Sequence, residues 1–200
     1  MGQYWKVVNL DKKEFVNPHK LGCGLKLWEQ LANSPGVGQA LIVLQAAMPE
    51  ARGGGDFTLD STDEAYNEIA KRTIGRWAGD RVVLVGDYAE DSDLPRRQKA
   101  SAIYGLCMSK DDWKESLVSF YRAIKKLKAG TYYSNPISSE TTQQYIRENE
   151  ERIKYYKEYV WFNLYTEISD DVAKVIEFEL NGKYTGDGWK EWHYNDKRER

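Results

Sequence analysis

The stretch RWAGDRVVLVGDYAEDSD, residues 76–93, crowds Arg76, Asp80, Arg81, Asp87, Glu90, Asp91 and Asp93 into one short span. Carboxylates at that density can hold a hard cation through oxygen. An arginine beside them can take a phosphate with two parallel hydrogen bonds. A second place with chemical potential is RGGGD, made of Arg52, Gly53, Gly54, Gly55 and Asp56. Successive glycines leave backbone N–H groups free to converge on an anion. The flanking guanidinium and carboxylate can close on a ligand.

Each place also has a plainer reading. VVLVGDY followed by acids resembles the second metal-ligand block of calcineurin-like phosphoesterases, where the Asp bridges two metals. Such a centre needs nitrogen ligands as well as oxygen. The chain has 2 histidines, His19 and His193, and lacks the Asp-x-His, Gly-Asn-His and Gly-His-x-His blocks. A phosphoesterase centre cannot be assembled, and Asp87 reads as the polar end of a strand. Asp87, Asp91 and Asp93 lack the EF-hand spacing, with no Gly at the sixth position and no Glu at the twelfth. A solvated acidic turn competes there with a Ca²⁺ or Mg²⁺ site; no other cofactor is expected. RGGGD is neither a Walker loop nor a dinucleotide fingerprint, so a flexible loop competes with an anion cradle. No GxSxG elbow is present. Cys23 and His19 are close in sequence but have no third orienting group.

The elements that must position these residues follow from patterning. YWKVVNL (4–10) is β-branched and aromatic and predicts a strand; DKK turns it, and EFV (14–16) returns as a hairpin arm. In 25–33, Leu25, Trp28 and Leu31 share a helical face. The apolar run 37–48 predicts a buried helix. Ser61 and Glu64 form a capping box opening a helix with Ala65, Ile69 and Ala70 inward. VVLVGDY (82–88) predicts a central strand with helices above and below. A weak helix spans 96–108. Ser109 and Asp112 cap a helix carrying Trp113, Leu117, Phe120, Ile124 and Leu127 at spacings of three and four. A charged helix covers 139–158, and VWFNLYTEI (160–168) predicts a further strand. Ser169 caps a helix with Val172, Val175 and Ile176 inward. The fold class is α/β or α+β: a small mixed sheet with helices packed on it. A chain of 200 residues is read as one domain, with 109–158 a helical insertion.

Bulk properties narrow the partners. A net charge of −2 gives no field for gripping nucleic acid. Arg122, Lys125, Lys126 and Lys128 form a local basic patch, read as a solvated face. The longest apolar run, 40–48, is too short to span a bilayer, and the opening has no signal-peptide pattern. Cys23 and Cys107 fit no zinc or CxxC spacing. A cytoplasmic location is expected. The 7 Trp and 14 Tyr exceed what a core alone needs and favour half-exposed aromatics at an interface.

Three stretches together resemble an uncharacterised protein family of bacteria, bacteriophages and fungi. They are the opening MGQYWKVVNLDKKEFVNPHKLGCGLKL, the RGGGD loop, and RWAGDRVVLVGDYAED with the later YTEISDDV. The resemblance covers most of 1–95 and 160–176; Glu167 stands where the family tends to have Asp. It implies no activity. It does imply that RGGGD and WAGDR share one functional or structural surface. It adds Trp77 to the candidates Arg52, Gly54, Asp56, Asp80, Arg81 and Asp87. Three functions remain open. The first is a non-enzymatic protein that holds a protein partner or small anionic ligand through aromatic surface and the Gly-rich loop. The second is an enzyme acting on a phosphorylated or nucleotide-like ligand. The third is a structural subunit of a larger particle, a viral one included.

Overall fold

The computed structural model describes residues 3–22, 24, 26–32, 36–47, 57–95, 99–133 and 137–182. The chain divides into two compact units, Met1–Tyr88 with Glu167–Arg200, and Ala89–Thr166. The fold is α/β, with a small mixed sheet and many helices.

The first unit is built on β1 (Trp5–Asn9), β2 (Glu14–Val16) and β3 (Val82–Gly86). The sheet is completed by β4 (Thr166–Glu167), where the chain enters the unit for the second time; the strand order is β3-β1-β2-β4. β1 pairs antiparallel with both neighbours, with Asn9 opposite Glu14 on one side and Val82 on the other. β1 and β2 are therefore the interior strands, and Val7, Val8 and Asn9 of β1 are all buried. The expected central strand 82–88 lies instead at an edge of the sheet, with Leu84 exposed. An apolar run does not reveal how many neighbours a strand will have.

Helices α1 (Leu27–Ala32), α2 (Val37–Gln45), α3 (Glu64–Thr73) and α8 (Ser169–Gly182) accompany the sheet. α8 packs against α2 and α3. Val7, Val16, Leu44, Trp77, Val172 and Val175 lie at the heart of the core. Two helix readings are corrected. Trp28 points to solvent at 80% exposure while Gln30 is buried, because the Gln30 side-chain amide donates to the Trp5 carbonyl of the central strand. The α3 N-cap is Asp63, whose side chain accepts from the Tyr66 N–H, and Ser61 accepts from the Asp63 N–H one step earlier. That start turns Tyr66 inward and leaves Ala65 exposed.

The second unit holds α4 (Ala100–Leu106), α5 (Lys110–Lys128) and α6 (Ser139–Tyr155). α6 runs on through a π-helical turn, Tyr156–Val160, into α7 (Trp161–Asn163). α5 and α6 pack on each other through Leu117, Ile124, Leu127, Ile146 and Ile153, with Trp113, Phe120 and Tyr156 alongside. α5 opens on the expected capping box, with Ser109 and Asp112 exchanging hydrogen bonds. The insertion expected over 109–158 falls inside this unit. The unit is wider because the turn at Asp91–Asp93 packs on α4 and the Tyr165 N–H donates to the Leu106 carbonyl. The strand expected over 160–168 shrinks to Thr166–Glu167, since helix continues to Asn163. No helix among the described residues is long and apolar enough to cross a membrane.

Candidate functional site

The block 74–81 is placed by backbone contacts before any side chain acts. α3 ends, and Gly75 turns left-handed with φ of 71°. The Gly75 and Trp77 N–H groups then donate to the Val43 and Leu44 carbonyls near the end of α2, each at 2.8 Å. These are carbonyls a helix end leaves without internal partners. Trp77 is thereby fully buried.

Facing it is the β1–β2 hairpin turn. Asn9, fully buried, accepts from the Asp11 and Lys12 N–H groups through its side-chain oxygen and shapes the turn. Its amide donates to Asp80 at 2.8 Å, and Lys12 also pairs with Asp80. Asp11 accepts two hydrogen bonds from the Arg81 guanidinium, at 2.8 and 2.6 Å, and one from the Arg81 N–H. Glu14, 5% exposed, receives Arg76 on both carboxylate oxygens and the Trp77 indole N–H at 2.8 Å. Arg72 of α3 likewise grips Asp171 of α8 through two hydrogen bonds.

These pairs explain the charge states. Burial works to raise the Glu14 carboxyl, yet hydrogen bonds from Arg76 and Trp77 overcome it and hold the group below its ordinary value. Hydrogen bonds from Arg81 lower Asp11, those from Lys12 and Asn9 lower Asp80, and those from Arg72 lower Asp171. A carboxyl depressed in the folded state stabilises the fold above its unfolded value, and that contribution fades as pH falls through the depressed value. Stability should therefore drop on acidification from about pH 4 downward. Arg76→Ala should flatten that acid limb and cost about 2 kcal/mol at neutral pH. The figure lies below that of a fully buried pair because the arginine side chain is 36% exposed. Urea unfolding of both proteins across pH checks this; parallel acid limbs would speak against it.

Of the residues singled out by sequence, Trp77, Asp80 and Arg81 come together here, and each side chain is engaged within the protein: Trp77 with Glu14, Asp80 with Asn9 and Lys12, and Arg81 with Asp11. Asp87 lies in the same unit at the end of β3. Its carboxylate accepts from the Tyr4 N–H and its own N–H donates to the Tyr4 carbonyl, which extends the β1–β3 ladder. Asp91 and Asp93 lie in the second unit. Asp91 accepts from Ser101, and Asp93 exchanges cap hydrogen bonds with Glu90. Among the described residues, no group of three His, Cys, Asp or Glu is arranged to hold a metal. Arg52, Gly53, Gly54, Gly55 and Asp56 lie outside the described residues, as do Cys23 and His193.

One group in the first unit escaped the sequence reading. Glu179 of α8 is 7% exposed. One of its carboxylate oxygens accepts from the Thr58 N–H and the Tyr66 hydroxyl. The other is buried and has no hydrogen-bond partner among the described residues. The Tyr66 ring stacks on Phe178 beside it. In the sequence, Glu179 is one of two acids, with Glu177, in the run VIEFEL, and no spacing marks which of them turns inward.

The second unit carries a different kind of feature. Tyr121, Tyr155, Tyr159, Trp161 and Phe162 are exposed, Phe162 at 76%. Tyr155 and Tyr159 stack at 5.2 Å. The π turn that positions them is tied to α5, because the Tyr156 carbonyl accepts from the Trp161 N–H and from the Trp113 indole N–H. Lys157 donates to the Tyr121 hydroxyl and Lys110 sits over the Trp161 ring. π turns of this kind are frequent at functional sites. Set against protein-family models, curated proteins and solved structures, the chain matches none of them.

Proposed function

We propose that the protein is a non-enzymatic binding protein that holds a protein partner on the α5–α6 hairpin of its second unit. One observation carries the reading: large aromatic side chains stand exposed along α5, the π turn and α7, where solvent contact is unfavourable and only part of their surface is covered by the described residues. Tyr and Trp are the side chains that dominate interface energetics, through large rigid area with a polar tip. The enzyme reading loses support because Asp80 is held by Asn9 and Lys12 and Arg81 by Asp11, so a substrate would have to compete with the hairpin clamp for either.

The test uses the full chain as bait, beside Tyr159→Ser/Phe162→Ser. Both positions are exposed, so the variant should unfold at the same temperature as the parent. The expected result is a stoichiometric protein partner retained by the parent and lost by the variant. Equal retention by both would overturn the reading.

A further inference from the structure

On α5, Lys114, Val118, Tyr121 and Lys125 recur at i, i+4, i+7 and i+11, so they form one straight stripe along a helix of 19 residues. All four are exposed, with Val118 at 50% and Tyr121 at 48%. The stripe lies beside the buried seam of Leu117, Ile124 and Leu127 that faces α6. It thus offers a second, unfilled face with the a/d spacing on which another helix packs.

Its charges have one sign. Lysines bracket the apolar pair one turn before and one turn after. Lys157 adds a cation across the groove by its contact with Tyr121, and Lys110 adds another at the Trp161 end. Lys114 meets Asp111, but in an exposed pair of little worth. An incoming carboxylate can displace Asp111 at small cost. Lys126 and Lys128 extend the positive field at the C-terminal end of the helix.

We propose that this stripe is the docking line for an acidic amphipathic helix of a partner protein. This rests on the binding reading above and names the chemistry of the partner. Apolar side chains of the incoming helix would cover Val118 and Tyr121, and carboxylates one turn to either side would meet Lys114, Lys125, Lys110 and Lys157. The match of one apolar stripe to another is the helix-in-groove mode of recognition, and the lysine field sets the sign of the partner and speeds encounter. A polyanion such as single-stranded nucleic acid would use the lysines but leave Val118 without a counterpart.

The experiment pans the full chain against a displayed library of random peptides of about 20 residues, the length that lies along α5. Recovered sequences are expected to show apolar residues at i, i+3, i+4 and i+7 with Asp or Glu between them. They should bind with dissociation constants of order micromolar. Binding should weaken roughly tenfold in Val118→Ser/Tyr121→Ser and again in Lys114→Glu/Lys125→Glu. Thermal unfolding of each variant confirms that these exposed changes leave the fold intact. Peptides that bind both variants as tightly as the parent would overturn the inference while leaving the binding reading in place. A library that yields no binder at all would count against both. Equal affinity for polyglutamate or a single-stranded oligonucleotide would also overturn it, since charge alone would then suffice.

Discussion

Trp77→Ala should cost about 3–5 kcal/mol, among the largest losses available to a single substitution in this chain. Two effects add. The indole is fully buried at the centre of the first unit's core, so its removal leaves a cavity among Leu44, Val172 and their neighbours. Its N–H also satisfies Glu14, a carboxylate held away from water. Trp77→Phe separates the two, because it keeps most of the volume and removes only the donor; it should cost about 1–2 kcal/mol. Urea unfolding of the three proteins reads both numbers. A domain of this kind has about 5–15 kcal/mol to lose, so Trp77→Ala should sit close to the edge of stability. Equal losses for Ala and Phe would mean that the hydrogen bond, not the packing, sets the role of the residue.

Gly75→Ala should cost more than about 2 kcal/mol. The backbone there is left-handed, and an added Cβ would lie 2.5 Å from the Ala46 carbonyl oxygen. That oxygen belongs to backbone and cannot rotate away. Relief would require residues 75–77 to lift off α2, breaking the hydrogen bonds to Val43 and Leu44 that seat Trp77. Gly79 is the control. It is also left-handed, at φ of 82°, but a Cβ there would meet nothing within 4 Å. Gly79→Ala should therefore show only the conformational penalty of about 1 kcal/mol. Thermal unfolding of the two variants side by side distinguishes steric collision from backbone strain; equal losses would remove the collision from the account.

Much of the fold is legible in local pattern. The β-branched and aromatic run YWKVVNL and the short polar turn specify the β1–β2 hairpin. The threefold and fourfold spacing from Trp113 to Leu127 specifies α5, with its start fixed by Ser109 and Asp112. Failures come where local signals are ambiguous and tertiary packing decides. VWFNLYTEI has strong strand propensity, yet Tyr156 just before it is held against Phe120 and Trp113 of α5 and Val160 is buried, so the helix continues through a π turn. The run 82–88 is apolar enough for an interior strand but, among the described residues, pairs on one side alone.

The chemistry was legible as residue types and not as pairings. Asp80 and Arg81 suggest a ligand site by their charges, while their partners Asp11 and Asn9 read only as part of a hairpin. Only the fold brings the hairpin turn against 76–81, across some seventy positions, and converts an apparent binding motif into an internal clamp. Local spacing says nothing about such distant partners. Glu179 was hidden for a related reason: Glu177 and Glu179 look alike in the sequence, and only packing exposes the first and buries the second. The exposed aromatics of α5, the π turn and α7 were foreshadowed by composition, but their concentration in one unit was not.

The central claim is that the clamp at 9–14 and 76–81 is structural and that binding belongs to the α5–α6 hairpin. Hydrogen exchange on the full chain, free and loaded with a retained partner or a panned peptide, tests it most directly. The account predicts added protection along 110–128 and 155–162, with 9–14 and 76–81 unchanged. Protection of 76–81 with α5 and α6 unchanged would contradict it and return the search to the first unit.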